Sequence, residues 1–320
     1  MNVGFIQIEE AYERIRNQIV QTPLLFAPYI SELAGTDVYL KCENLQRTGS
    51  FKIRGALNKL TSILQNNKET SGVITGSSGN HGQAVAYAAK LLGVSCTVVV
   101  PEDVLQIKEQ AILKYGAEVI RHGKTSSERI ELGLELAKKK GLVFVPPYDD
   151  AFVIAGQGTA GLEIAHQLPD VQSVFVPVGG GGLLSGISTA IKNKCPNARV
   201  YGIEPAIAND TFLSRKEGRI VDIGASTTIA DGLRTNHPGE LTFPIVQKYV
   251  DDILLVSEEE ILEAFSIVLE SSKVLAEPSG CVSVAAALKA GSKVKGPIVC
   301  VISGGNIDLS TVCKIVQGTL

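Results

Sequence analysis

The sequence lacks an excess of basic charge: 30 Lys and Arg stand against 33 Asp and Glu, for a net charge of −3. Without a basic footprint, neither nucleic acid nor an anionic membrane surface is expected as a partner. Long apolar runs are missing too. Stretches such as Cys96–Val100 and Ile298–Ile302 are far shorter than the roughly 20 residues that cross a bilayer. The N-terminal segment Ile8-Glu9-Glu10-Ala11-Tyr12-Glu13-Arg14 is acidic and amphipathic, not the basic-then-apolar pattern of a secretory signal. Six cysteines (Cys42, Cys96, Cys195, Cys281, Cys300, Cys313) form no C-x-x-C pair, so a zinc site is not expected. Several lie in apolar segments, where a free thiol behaves as a small hydrophobe, and a reducing, cytoplasmic compartment follows. Short repeats and low-complexity tracts are absent.

What is present is ordinary globular composition, 45% hydrophobic and 20% charged over 320 residues, enough for one large domain or two modest ones. Strand-like runs (Val38–Cys42, Val73–Thr75, Thr97–Val100, Glu118–Ile120, Val143–Val145, Val174–Val178, Val200–Ile203, Ile298–Ile302) alternate with amphipathic stretches. Among the latter are Ile53–Leu64, Gln83–Leu92, Ser127–Lys140 and Glu258–Ser271. Such alternation predicts doubly wound α/β architecture with parallel strands, whose ligands bind beyond the strand carboxyl ends. Four strand-to-turn junctions carry unusual sequence: Thr48-Gly49-Ser50-Phe51-Lys52-Ile53-Arg54-Gly55, Ser77-Ser78-Gly79-Asn80-His81-Gly82, Gly179-Gly180-Gly181-Gly182, and Ser303-Gly304-Gly305-Asn306.

The four glycines follow the strand Phe175–Val178 and precede a helix-like Leu183–Ile191. Successive N–H groups without Cβ atoms can converge on an anion, and the helix N-terminus adds a favourable dipole. A tight strand-to-helix turn would look the same. A dinucleotide site is the other reading, with Glu204 as the ribose acid about 20 residues on. The G-x-G-x-x-G frame fails, however, ending on Leu184 or Ser185, and no Lys-Ser or Lys-Thr follows to make a P-loop. A lone phosphate fits better. Lys52 lies two residues past Ser50, a candidate N-cap for a helix from Phe51. In a first turn the helix dipole disfavours a charged amine, which helps a lysine that must be neutral to form a Schiff base. Taken alone, Lys52 reads more often as a solvated lysine.

Taken together, Ser50-Phe51-Lys52-Ile53-Arg54-Gly55 resembles the lysine signature of serine/threonine dehydratases, and the other three junctions follow in the same order. The resemblance covers essentially the whole chain. It implies the fold type II pyridoxal-phosphate family, tryptophan synthase beta-like, which includes threonine dehydratase, serine dehydratase and serine racemase. It further implies two doubly wound α/β domains with the cofactor in the cleft between them. A large domain would be built from residues 1–71 and 150–320, and a small one from 72–149. In that family's pattern Lys52, after Phe51, would carry the cofactor and abstract the Cα proton. Gly179, Gly180, Gly181 and Gly182, with the Leu183 amide, would bind its phosphate, and Asn80 its phenolic oxygen. The loop Ser77, Ser78, Gly79, Asn80 and His81 would hold the substrate carboxylate. Ser303 would face the pyridine nitrogen; since a serine does not keep the ring protonated as a carboxylate would, loss of a β-leaving group is favoured.

The expected activity is conversion of L-threonine, L-serine or both to a 2-oxo acid and ammonia, with serine racemase as the alternative. Tyr148-Asp149-Asp150 and Val250-Asp251-Asp252-Ile253 resemble catabolic threonine dehydratases, and the chain stops soon after Ser303, so no regulatory extension is expected. Ser78, where many threonine dehydratases have alanine, resembles racemases as a second acid/base, or else only hydrogen-bonds the substrate carboxylate. Arg129 and Thr235 fall where racemases place substrate-side polar residues. Glu204 and Asp210 with the Ala208 carbonyl resemble the racemase cation site, and oxygen-only ligands suit magnesium, calcium or manganese; both acids also read as ordinary loop residues. Ala27-Pro28 replaces a serine pair near the nucleotide site of mammalian racemases, so ATP activation is not expected. A homodimer is implied by the resemblance alone.

Overall fold

The computed structural model describes residues 3–66 and 70–319. Along the chain run β1 (Leu24–Phe26), β2 (Val38–Cys42), β3 (Val73–Gly76), β4 (Cys96–Val100), β5 (Glu118–Arg121), β6 (Val143–Phe144), β7 (Ser173–Pro177), β8 (Arg199–Pro205), β9 (Asp252–Val256) and β10 (Ile298–Ile302). Among the described residues they form two sheets, β1-β2-β10-β7-β8-β9 and β5-β4-β3-β6. Every pairing is parallel except the edge strand β1 on β2. The fold is therefore α/β with two parallel-sheet domains. All residues of β4, β7 and β10 are buried, which is why these strands read as continuous apolar runs: helices cover both faces. Two strands escaped the sequence reading. β1 has three residues, and β9, with its exposed leading Asp252, is short and begins polar.

The long helix Ala151–Gln167 is the hub of the large domain. Asp150 caps it, its carboxylate accepting from the Phe152 and Val153 amides at 2.9 and 3.1 Å. Its glycines let two other helices come close. A Cβ on Gly156 would sit 2.6 Å from the Arg54 carbonyl oxygen, and one on Gly158 would sit 2.9 Å from that of Gly186. The same helix thus seats the Lys52–Asn66 helix on one side and the Gly182–Lys194 helix on the other. These two carry the candidate lysine and the glycine loop.

Side chains of opposite charge complete this seat. Arg54 donates to Glu43 and Glu163, with the shortest contacts 2.8 and 2.7 Å, and Lys41 reaches Glu163 at 2.6 Å. All four side chains are buried. Burial acts against each charge, but Arg54 and Lys41 hold the Glu43 carboxyl below its usual range, and the two carboxylates raise Arg54. Two cations and two anions leave the cluster neutral, as a dry interior demands.

Ser50 does not cap the helix that follows. The helix begins at Lys52, while Ser50 is bridged through its backbone to Gly304 and Phe51 N–H donates to the Ser303 carbonyl at 3.1 Å. The buried Ser50 hydroxyl has no hydrogen-bond partner. Pairing with the strand-end loop has pulled it out of capping position.

Candidate active site

The junctions singled out in the sequence lie at the carboxyl ends of neighbouring strands. In the large sheet, β2 leads to Lys52, β10 to Ser303 and β7 to Gly179, and β8 carries Glu204 as its next-to-last residue, in the spatial order β2-β10-β7-β8. In the small sheet, β3 leads to Ser77, and its neighbour β6 leads to Val145-Pro146-Pro147. This is where open α/β sheets bind ligands.

Lys52 is half-buried, and its Nζ donates to the Pro147 carbonyl at 2.7 Å. Burial pulls its pKa down to about 8, although the Glu277 carboxylate acts the other way. The hydroxyl of Ser303, a residue 3% exposed, donates to the Ser279 carbonyl at 3.5 Å. Around the lysine, the buried Thr48 and Ser50 hydroxyls and His81 Nδ1 find no hydrogen-bond partner among the described residues. His81 Nε2 lies 3.0 Å from the Val145 carbonyl oxygen. The ring is therefore a neutral donor at Nε2, and burial followed by Lys52 drives its pKa to about 3.

The glycine run closes on itself. Gly181 has φ +88°, and a Cβ on Gly180 would lie 2.4 Å from the Tyr148 ring. The helix starts at Gly182, so the amides of Gly182, Leu183 and Leu184 are first-turn donors without an intrahelical acceptor, the first such bond being Ser185 N–H to the Gly181 carbonyl at 2.8 Å. The second loop opens the helix Asn80–Leu92. Ser77, Ser78, Gly79 and Asn80 are half-buried, and Gly79 N–H donates to Ser77 Oγ at 3.3 Å. A Cβ on Gly82 would meet the Ser77 carbonyl at 2.0 Å, which forces glycine there.

Glu277 is a site residue the sequence reading missed. It is 4% exposed and accepts from Asn80 Nδ2 at 2.7 Å, while Asn306 Nδ2 donates to Asn80 Oδ1 at 2.7 Å. A Cβ on Gly304 would lie 2.5 Å from Glu277 Oε1, which explains one glycine of the fourth junction. Burial, then Asp231, pushes its carboxyl up to about 8. Its one signal in sequence is an acid just before Pro278, which opens a helix, and a helix-start acid needs no function. Glu277 and Asn306 also line a cavity of about 470 Å³, together with Gln83, Lys108, Asp231 and Arg234.

Glu204 and Asp210 are fully buried. Glu204 accepts from the Thr211 and Phe212 amides, both at 2.9 Å. Asp210 Oδ1 accepts from Thr235 Oγ1 at 3.5 Å, while its Oδ2 finds no partner among the described residues. Burial pushes Glu204 up to about 8, with Asp210 adding repulsion, and burial pushes Asp210 up to about 7. Ala208, also buried, lies between them in the chain. Among the described residues no three His, Cys, Asp or Glu side chains gather as a metal cluster, so a cation here would draw on two carboxylates and a carbonyl. Thr235 ties this pair to the glycine run, its Cγ2 lying 3.5 Å from where a Gly179 Cβ would be. Arg129 sits on the helix Ser126–Lys140, its carbonyl oxygen 3.0 Å from the corresponding point of Gly76 and its guanidinium donating to the Lys124 carbonyl at 3.3 Å.

Residues 15–304 match the profile of the family described as pyridoxal-phosphate dependent enzyme. The chain belongs to this family. Among members, it is 45% identical over 311 residues to an L-threonine ammonia-lyase of Geobacter sulfurreducens, covering 97% of this chain and 77% of the relative. It is 46% identical over 315 residues to a serine racemase of Dictyostelium discoideum, covering 97% of each chain. The solved structure of maize serine racemase superposes with a TM-score of 0.93 at 35% identity, covering 99% of this chain and 98% of that one. The fold is thus that of the type II pyridoxal-phosphate enzymes.

The residues present fit the family's cofactor. A phosphate needs converging amides, which a loop with no room for Cβ atoms and an open helix start can supply. An aldehyde needs an amine that loses its proton near neutrality, and Lys52 is lowered to about 8. A polar ring needs partners in a buried site, and the unsatisfied Thr48, Ser50 and His81 atoms lie in this region.

Proposed function

We propose that the protein is an ammonia-lyase that converts L-threonine, L-serine or both to the 2-oxo acid and ammonia. The observation that carries this reading is the placement, past the carboxyl ends of the adjacent strands β2, β10 and β7, of the lowered Lys52 amine, a serine rather than an acid, and the glycine run. When bound, pyridoxal phosphate supplies an aldehyde and an electron-withdrawing ring that acidify the Cα proton of an amino acid joined to it. Lys52 holds the cofactor and takes the Cα proton; its neutral amine is what makes it a base. The amides of Gly179 to Leu183 receive the phosphate, with Phe51 beside Lys52. Ser77 to His81 receive the substrate carboxylate, Asn80 being shared with the cofactor, and Arg129 and Thr235 form the substrate-side rim. Ser303 would offer the ring nitrogen a neutral partner, which would favour loss of the substrate's β-hydroxyl as water over a long-lived charge at Cα. Net, the amino acid loses water and its C–N bond is then hydrolysed.

Serine racemase activity is the second reading, favoured by Ser78 in the half-buried loop at the start of the Asn80 helix. A hydroxyl there is the second proton donor that inversion needs. Glu204, Asp210 and the Ala208 carbonyl bind magnesium, calcium or manganese; the orphaned Asp210 Oδ2 supports this. Residues 1–71 with 150–320, and 72–149, are the two domains, in keeping with the two sheets. We place the enzyme in the cytoplasm, supported by its free cysteines. Among the described residues no helix is long and apolar enough to cross a membrane. We take it to act as a homodimer; the exposed Leu25, Phe26, Tyr29 and Leu33 offer an apolar face.

The test is a panel of L- and D-serine and L- and D-threonine, scored separately for 2-oxo acid and for inverted amino acid, on the wild type and Lys52→Ala. The wild type is expected to release 2-oxo acid from an L-substrate, and Lys52→Ala to lose at least about 10²–10⁴-fold while keeping its melting temperature. Undiminished turnover in Lys52→Ala would remove the lysine from its role. Inversion without 2-oxo acid would favour the racemase reading.

A further inference from the structure

The segment Tyr148-Asp149, which links the small sheet to the large domain, packs against the glycine loop from outside. The Tyr148 ring occupies the place of a Gly180 Cβ, and its Cβ lies 3.0 Å from where that of Gly182 would be. Asp149 reaches a different segment. Its Oδ1 accepts from the Leu241 and Thr242 amides at 2.8 and 3.3 Å, and its Oδ2 from the Glu240 amide at 3.0 Å. These amides begin the helix Thr242–Tyr249, which has no capping side chain of its own. Thr242, fully buried, accepts from Gly239 N–H at 2.8 Å and donates its hydroxyl to the Gly180 carbonyl at 2.7 Å, which the Gly239 N–H reaches more weakly at 3.3 Å.

That last bond has a directional consequence. In a planar trans peptide the carbonyl of one residue and the N–H of the next point in opposite directions. Pinning the Gly180 carbonyl to Thr242 therefore turns the Gly181 N–H away from Thr242. Gly181 must take φ +88° to do this, and a Cβ on it would come within 2.9 Å of Thr242. A carboxylate on the linker thus fixes a helix start, the helix start fixes a hydroxyl, and the hydroxyl orients an amide.

We propose that Asp149 and Thr242 are positioning residues that hold the Gly179–Gly182 loop in its anion-receiving shape and so set this protein's preference for a phosphorylated cofactor. The inference rests on that loop being the phosphate site. Neither residue touches the phosphate; both act through the Gly180–Gly181 peptide.

Equilibrium dialysis of the whole protein against pyridoxal phosphate and against pyridoxal, which lacks the phosphate, tests this through the ratio of the two affinities. Thr242→Val keeps the side-chain shape and deletes the donor; it should lower the ratio about tenfold, the effect of one lost hydrogen bond, with pyridoxal binding within about twofold of wild type. Thr242→Ser restores the donor and should restore the ratio. Asp149→Asn weakens an acceptor that lies outside the core and should lower the ratio about threefold, which keeps the test decisive if Thr242→Val does not fold. An unchanged ratio in Asp149→Asn, or in a folded Thr242→Val, overturns the proposal. So does an equal loss of both affinities with a fallen melting temperature, which would mark general destabilisation. A wild type that binds both compounds alike would remove the phosphate reading of the loop itself, and the proposal with it. Wild-type preference with unaltered variants overturns the proposal alone.

Discussion

Two groups of carboxylates lie equally deep in the large domain and meet opposite fates. Glu43 and Glu163 are enclosed with Arg54 and Lys41, and Glu43 is held below its usual range despite burial. Glu204 and Asp210 have backbone amides and a threonine hydroxyl as partners, and both are pushed up. Burial opposes the charge of both Glu43 and Glu204; what differs is whether the chain provides the counter-charge. A set that sums to zero is complete and can be purely structural. A set without counter-charge instead holds its protons to higher pH, and one carboxylate oxygen of this pair stays without a partner among the described residues.

The largest effect should come from breaking the complete set. Arg54→Met leaves two buried carboxylates with only Lys41, and removing one partner of a buried pair costs about 3–5 kcal/mol. Urea unfolding should register this, and a loss below about 1 kcal/mol would mean the cluster tolerates net charge after all. For the cation proposed at Glu204, Asp210 and the Ala208 carbonyl, the second group should respond to its supply and removal. A cation at about 100 times its dissociation constant adds about 2.7 kcal/mol of native-state stability, so chelation should lower the melting temperature and magnesium, calcium or manganese should restore it. Glu204→Gln and Asp210→Asn should each abolish the chelator response; equal responses in the variants and the wild type would place the ion elsewhere.

A third effect, spread over pH, comes from Glu277, a buried acid outside both groups that accepts from Asn80. Its pKa stands at about 8 in the fold against 4.5 ordinarily. A raised carboxyl contributes stability that is full below its unfolded pKa and is lost as pH rises through the folded value. Between roughly pH 5 and 8 its share of stability should therefore fall with rising pH, by at most about 1.4 kcal/mol per unit. Glu277→Gln should flatten that slope in unfolding free energies measured across the window. An unaltered slope would mean the acid is already ionised in the fold.

The sequence by itself determined what is local. Glycine runs at strand ends, the serine-rich turn and the lysine signature each depend on a few consecutive residues, because close approach and positive φ leave glycine little alternative. Continuous apolar strands were legible because both of their faces are covered. Short or polar-led elements, β1 and β9, were not. Tertiary structure alone decided which of these local pieces complete one another. Ser50 reads as a helix cap, yet it spends its backbone on Gly304, some 250 residues away in sequence. Lys41, Glu43, Arg54 and Glu163 carry no common pattern, and Glu277 looks like any acid ahead of a helix. Asp149, Thr242 and Gly180 come from three separate segments, and their order along the chain says nothing of their contact. Spacing along a chain encodes helix and strand periods, whereas charge balance and peptide orientation depend on distances that exist only once the sheets have closed.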